Sequence, residues 1–347
     1  MRRTYNRFLY YYQIMTGKSD RKPCTLFDHK RTVTPIIPSD DAFHGSLRHI
    51  GAEWWYFDAL FADDLSIHVG YKTFSKKKWG LFAPQIEFYN KGACFLEENK
   101  RILFKDTMIS KEFPSITHNG NAVMSFNKEK HHQSNQWEYQ VNMETERCGF
   151  DLRFLGKTPG WKIEIPERES WTVALPKATV QGTIRFNDST IPVEGLGYHD
   201  HNWNYTMVTV MNYGQGWYWG KIASNSFNVV WAKIVKSKQY ELLAVINDDD
   251  QNTWYNINPK NIHISTDEYE KVGRFKTPSH FFLEIHEEKE GVPLDVEVDM
   301  KSYGTHYNSV IVAPYFRYHI TAKGSISIDS KKEQVNPQQI MEFLRFS

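Results

Sequence analysis

Alternation of apolar and polar residues with a period of two runs through most of this chain and restricts it to a fold built from strands. Ser66-Ile67-His68-Val69-Gly70-Tyr71-Lys72, Trp137-Glu138-Tyr139-Gln140-Val141-Asn142-Met143 and Leu294-Asp295-Val296-Glu297-Val298-Asp299 all alternate. A strand sends successive side chains to opposite faces, so one face of each run meets a core and the other a polar environment. Turn-forming residues stand between the runs: Asp63-Asp64, Asn119-Gly120-Asn121, Thr158-Pro159-Gly160, Asn187-Asp188, Asp248-Asp249-Asp250 and Glu290-Gly291. Many short strands separated by turns predict an all-β sandwich or barrel rather than alternating β–α units. Helix is expected in the tail, where Asn336-Pro337 starts a segment running through Ile340, Met341 and Leu344, and in a stretch near residues 3 to 15.

The length, 347 residues, exceeds one barrel and suits two domains. The aromatic share of 15% fits a β-rich protein with an apolar cavity, since aromatic residues favour strands and line pockets. A residue cluster from Gly195 to Gly220 lies near the middle and marks the expected junction. The reading is an N-terminal segment over 1–40, a first half over 41–200 and a second over 201–347. A net charge of +1 gives no reason to expect nucleic acid as a partner. Cys24, Cys94 and Cys148 are odd in number and lack CxxC spacing, which predicts free thiols and a reducing, cytoplasmic setting. Met1-Arg2-Arg3 precedes the aromatic run Phe8-Leu9-Tyr10-Tyr11-Tyr12, but a long apolar core and a small-residue cleavage site are missing. That segment is expected to be a docked terminus or a short peripheral membrane contact.

Two clusters carry chemical information. In Glu53-Trp54-Trp55-Tyr56-Phe57-Asp58-Ala59, a strand would put Glu53, Trp55 and Phe57 on one face and Trp54, Tyr56 and Asp58 on the other. The simplest reading is an aromatic core strand with acids at its ends. In Gly195-Leu196-Gly197-Tyr198-His199-Asp200-His201-Asn202-Trp203-Asn204, alternation separates Tyr198, Asp200 and Asn202 from His199, His201 and Trp203. So many adjacent polar and titratable groups rarely build a dry core, because each buried one needs a partner. They form either a functional site or a polar junction. His199-x-His201 has metal-pair spacing, but Asn204-Tyr205-Thr206 supplies no acid downstream, so neither metal nor cofactor is expected. His131-His132 falls in a polar stretch, Asn127 to Ser134, and reads as solvated surface. The nucleophile elbow, the phosphate-binding loop, the dinucleotide fingerprint and the H-E-x-x-H motif are all missing.

Glu53 to Asp58, then Gly195-x-Gly197-Tyr198-His199-Asp200-His201-Asn202-Trp203, then Trp217-Tyr218-Trp219-Gly220 is similar to the pattern of the carotenoid 1,2-hydratase and AttH-like family. The fungal lipocalin-like Diels-Alderases are more distant relatives in fold. Pro176-Lys177-Ala178-Thr179-Val180-Gln181-Gly182 also fits that pattern. The resemblance covers roughly residues 50 to 235. It implies two tandem lipocalin-like (calycin) β-barrel domains, a long apolar isoprenoid or polyene-like ligand, and hydro-lyase chemistry at a carbon–carbon double bond.

Hydration of an alkene begins with protonation to a carbocation, which water then captures. On this reading Asp200 or Asp58 is the acid, kept protonated by burial, and His201 handles the water. Glu53, Trp54, Trp55, Tyr56, Tyr198, His199, Trp203, Trp217 and Trp219 line the ligand, with aromatic faces steadying the cation. One departure stands out: the hydratases carry a tyrosine and an aspartate two apart on the strand after Trp-Gly. Here Asn228-Val229-Val230-Trp231-Ala232-Lys233 holds no carboxylate. A non-catalytic lipid carrier and a cyclase or pericyclase that folds its substrate in a shaped pocket are the other two expectations.

Overall fold

The computed structural model describes residues 25–27, 30–46, 49–77, 79–164, 169–186, 189–206, 216–235, 239–310 and 313–345. The expected helix near residues 3 to 15, the aromatic run at 8–12, Cys24 and the turn at 187–188 lie outside them. Nearly everything described is strand. In chain order the long strands of the first lobe are β1 (Gly51–Phe61), β2 (Leu65–Lys76), β3 (Trp79–Asn90), β4 (Ala93–Asn99), β5 (Asn121–Phe126), β6 (Glu138–Glu144), β7 (Cys148–Gly156), β8 (Ser170–Phe186) and β9 (Ser189–Thr206). Those of the second lobe are β10 (Gly216–Ala223), β11 (Phe227–Val235), β12 (Gln239–Asp248), β13 (His280–Lys289), β14 (Val292–Val310), β15 (Ala313–Ile328) and β16 (Gln338–Arg345).

The first sheet runs in the order β4-β3-β2-β1-β9-β8-β7-β6-β5 and ends on two short strands. The second runs β12-β11-β10-β16-β15-β14-β13, with Thr25–Leu26 added in parallel beside β12. Each sheet curls around its own apolar core. Trp55, Phe57, Val69, Tyr71, Tyr139 and Phe154 belong to the first core, and Trp231, Phe281, Leu294, Val296, Val298 and Tyr318 to the second. The alternation in Leu294–Asp299 is realised directly, with its apolar members inside and Asp295 and Glu297 exposed. In Ser66–Lys72 almost every residue is buried, because the second face of that strand is covered by the other lobe.

The tail is not a helix. Gln338–Arg345 is a strand inserted between β10 and β15, with Trp219 opposite Glu342 and Arg317 opposite the same Glu342. Ile340, Met341, Phe343 and Leu344 are all buried, so both faces of the strand are covered. Apolar residues at those positions satisfy a helical spacing and a two-sided strand equally well, and pairing on both edges decides the outcome. The polar stretch at 127–134 is partly ordered as helix. Lys128–Ser134 is a short helix, α1, capped by the Asn127 side chain, which accepts from the Lys130 N–H at 3.1 Å. His132 is exposed, while His131 packs on Phe126 and Trp137.

The sheets divide after Thr206, so the boundary read at residue 200 falls inside β9. Residues 25–27 and 30–35 touch both lobes. Leu26 lies beside Tyr240, the Arg31 guanidinium binds Glu241 at 2.7 Å, and Pro35 pairs with Trp161. Cys94 and Cys148 are free thiols. Among the described residues no helix is long and apolar enough to cross a membrane.

Candidate active site between the two lobes

The two motifs, some 140 residues apart in sequence, are neighbouring antiparallel strands. In register, Gly197 faces Ala59, Tyr198 faces Asp58, His199 faces Phe57, Asp200 faces Tyr56, His201 faces Trp55 and Asn202 faces Trp54. The glycines permit this approach: a methyl group on Gly195 would stand 2.0 Å from the Leu60 carbonyl oxygen. Alternation then distributes the motif residues over two separate environments.

Glu53, Trp55, Phe57, His199 and His201 point into the first lobe. There the His199 ring stacks on Phe57 at 3.8 Å, and its nitrogens meet the Tyr56 carbonyl at 2.9 Å and Asp41 Oδ2 at 3.0 Å. Tyr139 donates to the same Asp41 oxygen at 2.6 Å. His201 Nε2 lies 3.0 Å from Glu53 Oε1, and the backbone N–H groups of His44 and Gly45 donate to the two Glu53 oxygens at 2.8 Å each. Burial pushes Glu53 upward, but hydrogen bonds from His201 and His44 outweigh it and hold the carboxyl down at about 2. Burial also lowers His201 against the pull of Glu53, so its ring is neutral. Trp203 stacks on His44 at 3.8 Å. This network ties the segment carrying Asp41, His44 and Gly45 to the inner face of the first sheet.

Trp54, Tyr56, Asp58, Tyr198, Asp200 and Asn202 point the other way, toward the second lobe. The facing surface is built by Trp217, Trp219 and Lys221 of β10, Val230 and Ala232 of β11, Glu342 of β16 and Arg317 of β15. Tyr198 and Trp219 stack with centroids 5.3 Å apart, and Trp219 meets Tyr56 edge-on at 5.2 Å. Lys221 forms an ion pair with Asp58, whose other oxygen accepts from Tyr56 at 2.9 Å. Arg317 binds Glu342 at 2.6 Å and reaches across to Glu87 of β3. These are buried charges, and each has a partner of opposite sign.

Asp200 differs. Tyr198 and Trp171 donate to its Oδ2 at 2.8 and 2.9 Å, and Asn202 donates to Oδ1 at 3.1 Å. Among the described residues no lysine or arginine hydrogen-bonds to it. Burial drives its carboxyl up to about 7, against the hydrogen bonds from Trp171 and Tyr198, which favour the charged form. Around it stand the rings of Tyr198, Tyr56 and Trp219, with half-buried Trp54, Trp171 and Trp217 toward solvent. At the Asp58 end a cleft of about 350 Å³ opens between the lobes, lined by Phe61, Pro176, Leu196, Lys221, Ile222 and Gln339.

The structure therefore splits the predicted catalytic trio. Asp58 and Asp200 share the inter-lobe face, while His201 lies on the opposite face of the same strand and is fully buried. His201, next to Asp200 in sequence, points away from the inter-lobe face, because neighbours on a strand point apart. Of the predicted ligand-binding residues, Trp54, Tyr56, Tyr198, Trp217 and Trp219 lie between the lobes. Glu53, Trp55 and His199 lie inside the first, and Trp203 stacks on His44 at that lobe. Lys221, Arg317, Glu342, Glu87 and Trp171 belong to the site and went unnoticed in the sequence. Only Lys221 had a local signal, being two residues beyond Trp219 on one strand face. Among the described residues, two groups of side chains bring metal-ligand atoms within 4.8 Å of one another: His44, Glu53 and His201, and Cys94, Glu97 and His306.

No family model matches the sequence, and no curated protein matches it. Solved structures do match. An AttH-type protein of Nitrosomonas europaea superposes with a TM-score of 0.61 over 89% of this chain and 98% of its own, at 13% identity. The chain has the AttH-like lipocalin fold. CghA bound to Sch210972 matches with a TM-score of 0.60 at 10% identity, over 93% of this chain and 98% of its own. Kievitone hydratase of Nectria haematococca matches at 0.55 and 13% identity, over 94% and 99%. The AttH-like fold is thus shared along nearly the whole chain.

Proposed function

We propose that this protein is a hydratase-type enzyme that adds water across a carbon–carbon double bond of an apolar, unsaturated substrate of isoprenoid or polyene type. The observation that carries the reading is Asp200, a carboxyl buried among aromatic rings between the lobes and raised to about 7. An acid of that strength is about half protonated near neutrality, and its protonated form can donate to an alkene. Its proton goes to the less substituted carbon, leaving a cation on the other. Tyr56, Tyr198 and Trp219 offer π faces to that cation. Water captures the cation, and the Asp200 carboxylate takes back a proton from the adding water, so the acid is regenerated and the substrate gains one water. This cycle needs no base from the first lobe, which suits the position of His201.

The name of kievitone hydratase among the structural neighbours is consistent with this chemistry; a substrate-folding enzyme that works from the same aromatic face is the second reading. Asp200→Asn separates them. For a hydratase, turnover falls by about 10² to 10⁴-fold, the loss expected of a missing general acid, while ligand affinity is kept. Native mass spectrometry of protein purified from its own cells supplies the ligand. A product heavier by one water that forms with the wild type and not with Asp200→Asn supports the reading. Unchanged turnover in the variant rejects it.

A further inference from the structure

The end of the first lobe where β2 turns into β3 carries an apolar and basic surface that the inter-lobe chemistry does not use. Trp79, the first residue of β3, is 84% exposed, and Leu81 is on the same strand face two residues on. Leu103 pairs with Leu81 across the sheet and is 58% exposed, with Met108 at 71% close behind in sequence. Ile50, at 64%, comes from the chain just before Gly51, and Gly51 pairs with Ser75 beside the same turn. The Lys77 N–H donates to the Ser46 carbonyl at 2.7 Å, tying that chain to the hairpin tip.

These residues are not left over from the core. Phe82 and Phe104, which alternate with them, are the ones packed inside. Large apolar side chains clustered in water are uncommon on a monomer and mark a contact surface. The charges around them say what kind. Residues 76–79 and 100–106 hold six basic side chains, Lys76, Lys77, Lys78, Lys100, Arg101 and Lys105, against one acid, Asp106. Lys76, Lys77, Lys100, Arg101 and Lys105 are exposed, and Asp106 sits 3.7 Å from Lys105. A tryptophan with leucine and isoleucine, and with exposed lysine and arginine beside them, matches the interface of an anionic bilayer, where rings enter the headgroup level and cations meet lipid charge.

We propose that this hairpin end docks the protein on an anionic lipid surface. The same end of β1 leads to Trp54, three residues from Gly51, or roughly 10 Å along a strand, where the half-buried tryptophans of the inter-lobe face begin. Docking there turns the half-buried tryptophans of the inter-lobe face toward the phase in which an apolar substrate dissolves. The docking itself does not depend on the acid chemistry at Asp200.

The test is sedimentation of the full chain with sucrose-loaded vesicles of phosphatidylcholine alone and of phosphatidylcholine with phosphatidylserine. The wild type is expected to partition onto the mixed vesicles at low salt and to leave them at high salt. Trp79→Ser with Leu103→Ser, and separately Lys76→Glu with Lys77→Glu, each lower the partition about tenfold or more. Melting curves matching the wild type show that these surface variants fold. A wild type that ignores both vesicles, that binds both equally, or whose binding survives both pairs of substitutions overturns the proposal. The last outcome would move the contact to another segment. Because no turnover is measured, the result is independent of whether Asp200 acts as an acid.

Discussion

Burial and hydrogen bonding pull Asp200 in opposite directions, and burial wins, leaving the carboxyl at about 7. This has consequences for stability as well as for chemistry. An aspartate in the unfolded chain ionises near 4, so the folded value is raised and ionisation opposes folding. No stability is lost below about pH 4; it falls as pH rises from there through about 7, then levels off. Asp200→Asn removes this effect, so the variant's urea midpoint should rise relative to the wild type across that window and match it at lower pH. Turnover by the wild type should fall as pH passes about 7, because the donated proton is gone. Trp55 and Trp54 are adjacent in sequence and do different work. Trp55 is fully buried in the first core and donates to the Asp41 carbonyl at 2.8 Å. Trp55→Ala should therefore cost about 3 to 5 kcal/mol in denaturant unfolding. Trp54→Ala, on the inter-lobe face, should instead weaken ligand binding by roughly 1 to 3 kcal/mol with little loss of stability.

At the scale of the element, β1 and β9 form one unit whose two faces serve two purposes. Their pairing rests on bare backbone at Gly195 and Gly197, where a side chain would strike Leu60 O or Val180 and Phe154. Gly195→Ala should lower stability by about 1 to 3 kcal/mol, the cost of overpacking, read as a shift in thermal midpoint. The strands themselves were legible, because Ser66–Lys72, Trp137–Met143 and Leu294–Asp299 alternate as strands must. The split of the motif between two faces was legible too, since alternation alone separates Asp200 from His201. What alternation could not show is which face meets which partner, and the structure puts His201 in the first lobe and Asp200 between the lobes. The tail was misread because Ile340, Met341, Phe343 and Leu344 fit two periods at once. That error also hid Glu342, which lies on the tail strand opposite Trp219. The carboxylate missing from Asn228–Lys233 is thus matched in the site by an acid arriving from the far end of the chain.

Across the whole molecule, the two lobes are joined by charges as much as by apolar packing. Lys221 with Asp58, and Arg317 with Glu87 and Glu342, are buried between the sheets. None of these pairs can be read from local sequence, since their members lie 25 to 230 residues apart. Burial lowers the Lys221 ammonium against the pull of Asp58, so the pair depends on both members. Lys221→Met should leave Asp58 uncompensated and cost about 3 to 5 kcal/mol. The double variant Lys221→Met with Asp58→Asn should recover much of that in the same unfolding assay. Such an interface holds the aromatic face around Asp200 dry, and that dryness raises its carboxyl. The most direct test is carbon-13 NMR of protein labelled at the aspartate carboxyls, titrated with and without Asp200→Asn. One aspartate resonance moving near pH 7 and lost in the variant is the predicted result. Titration of every aspartate in the ordinary carboxylate range would contradict it and remove the acid from the inter-lobe site.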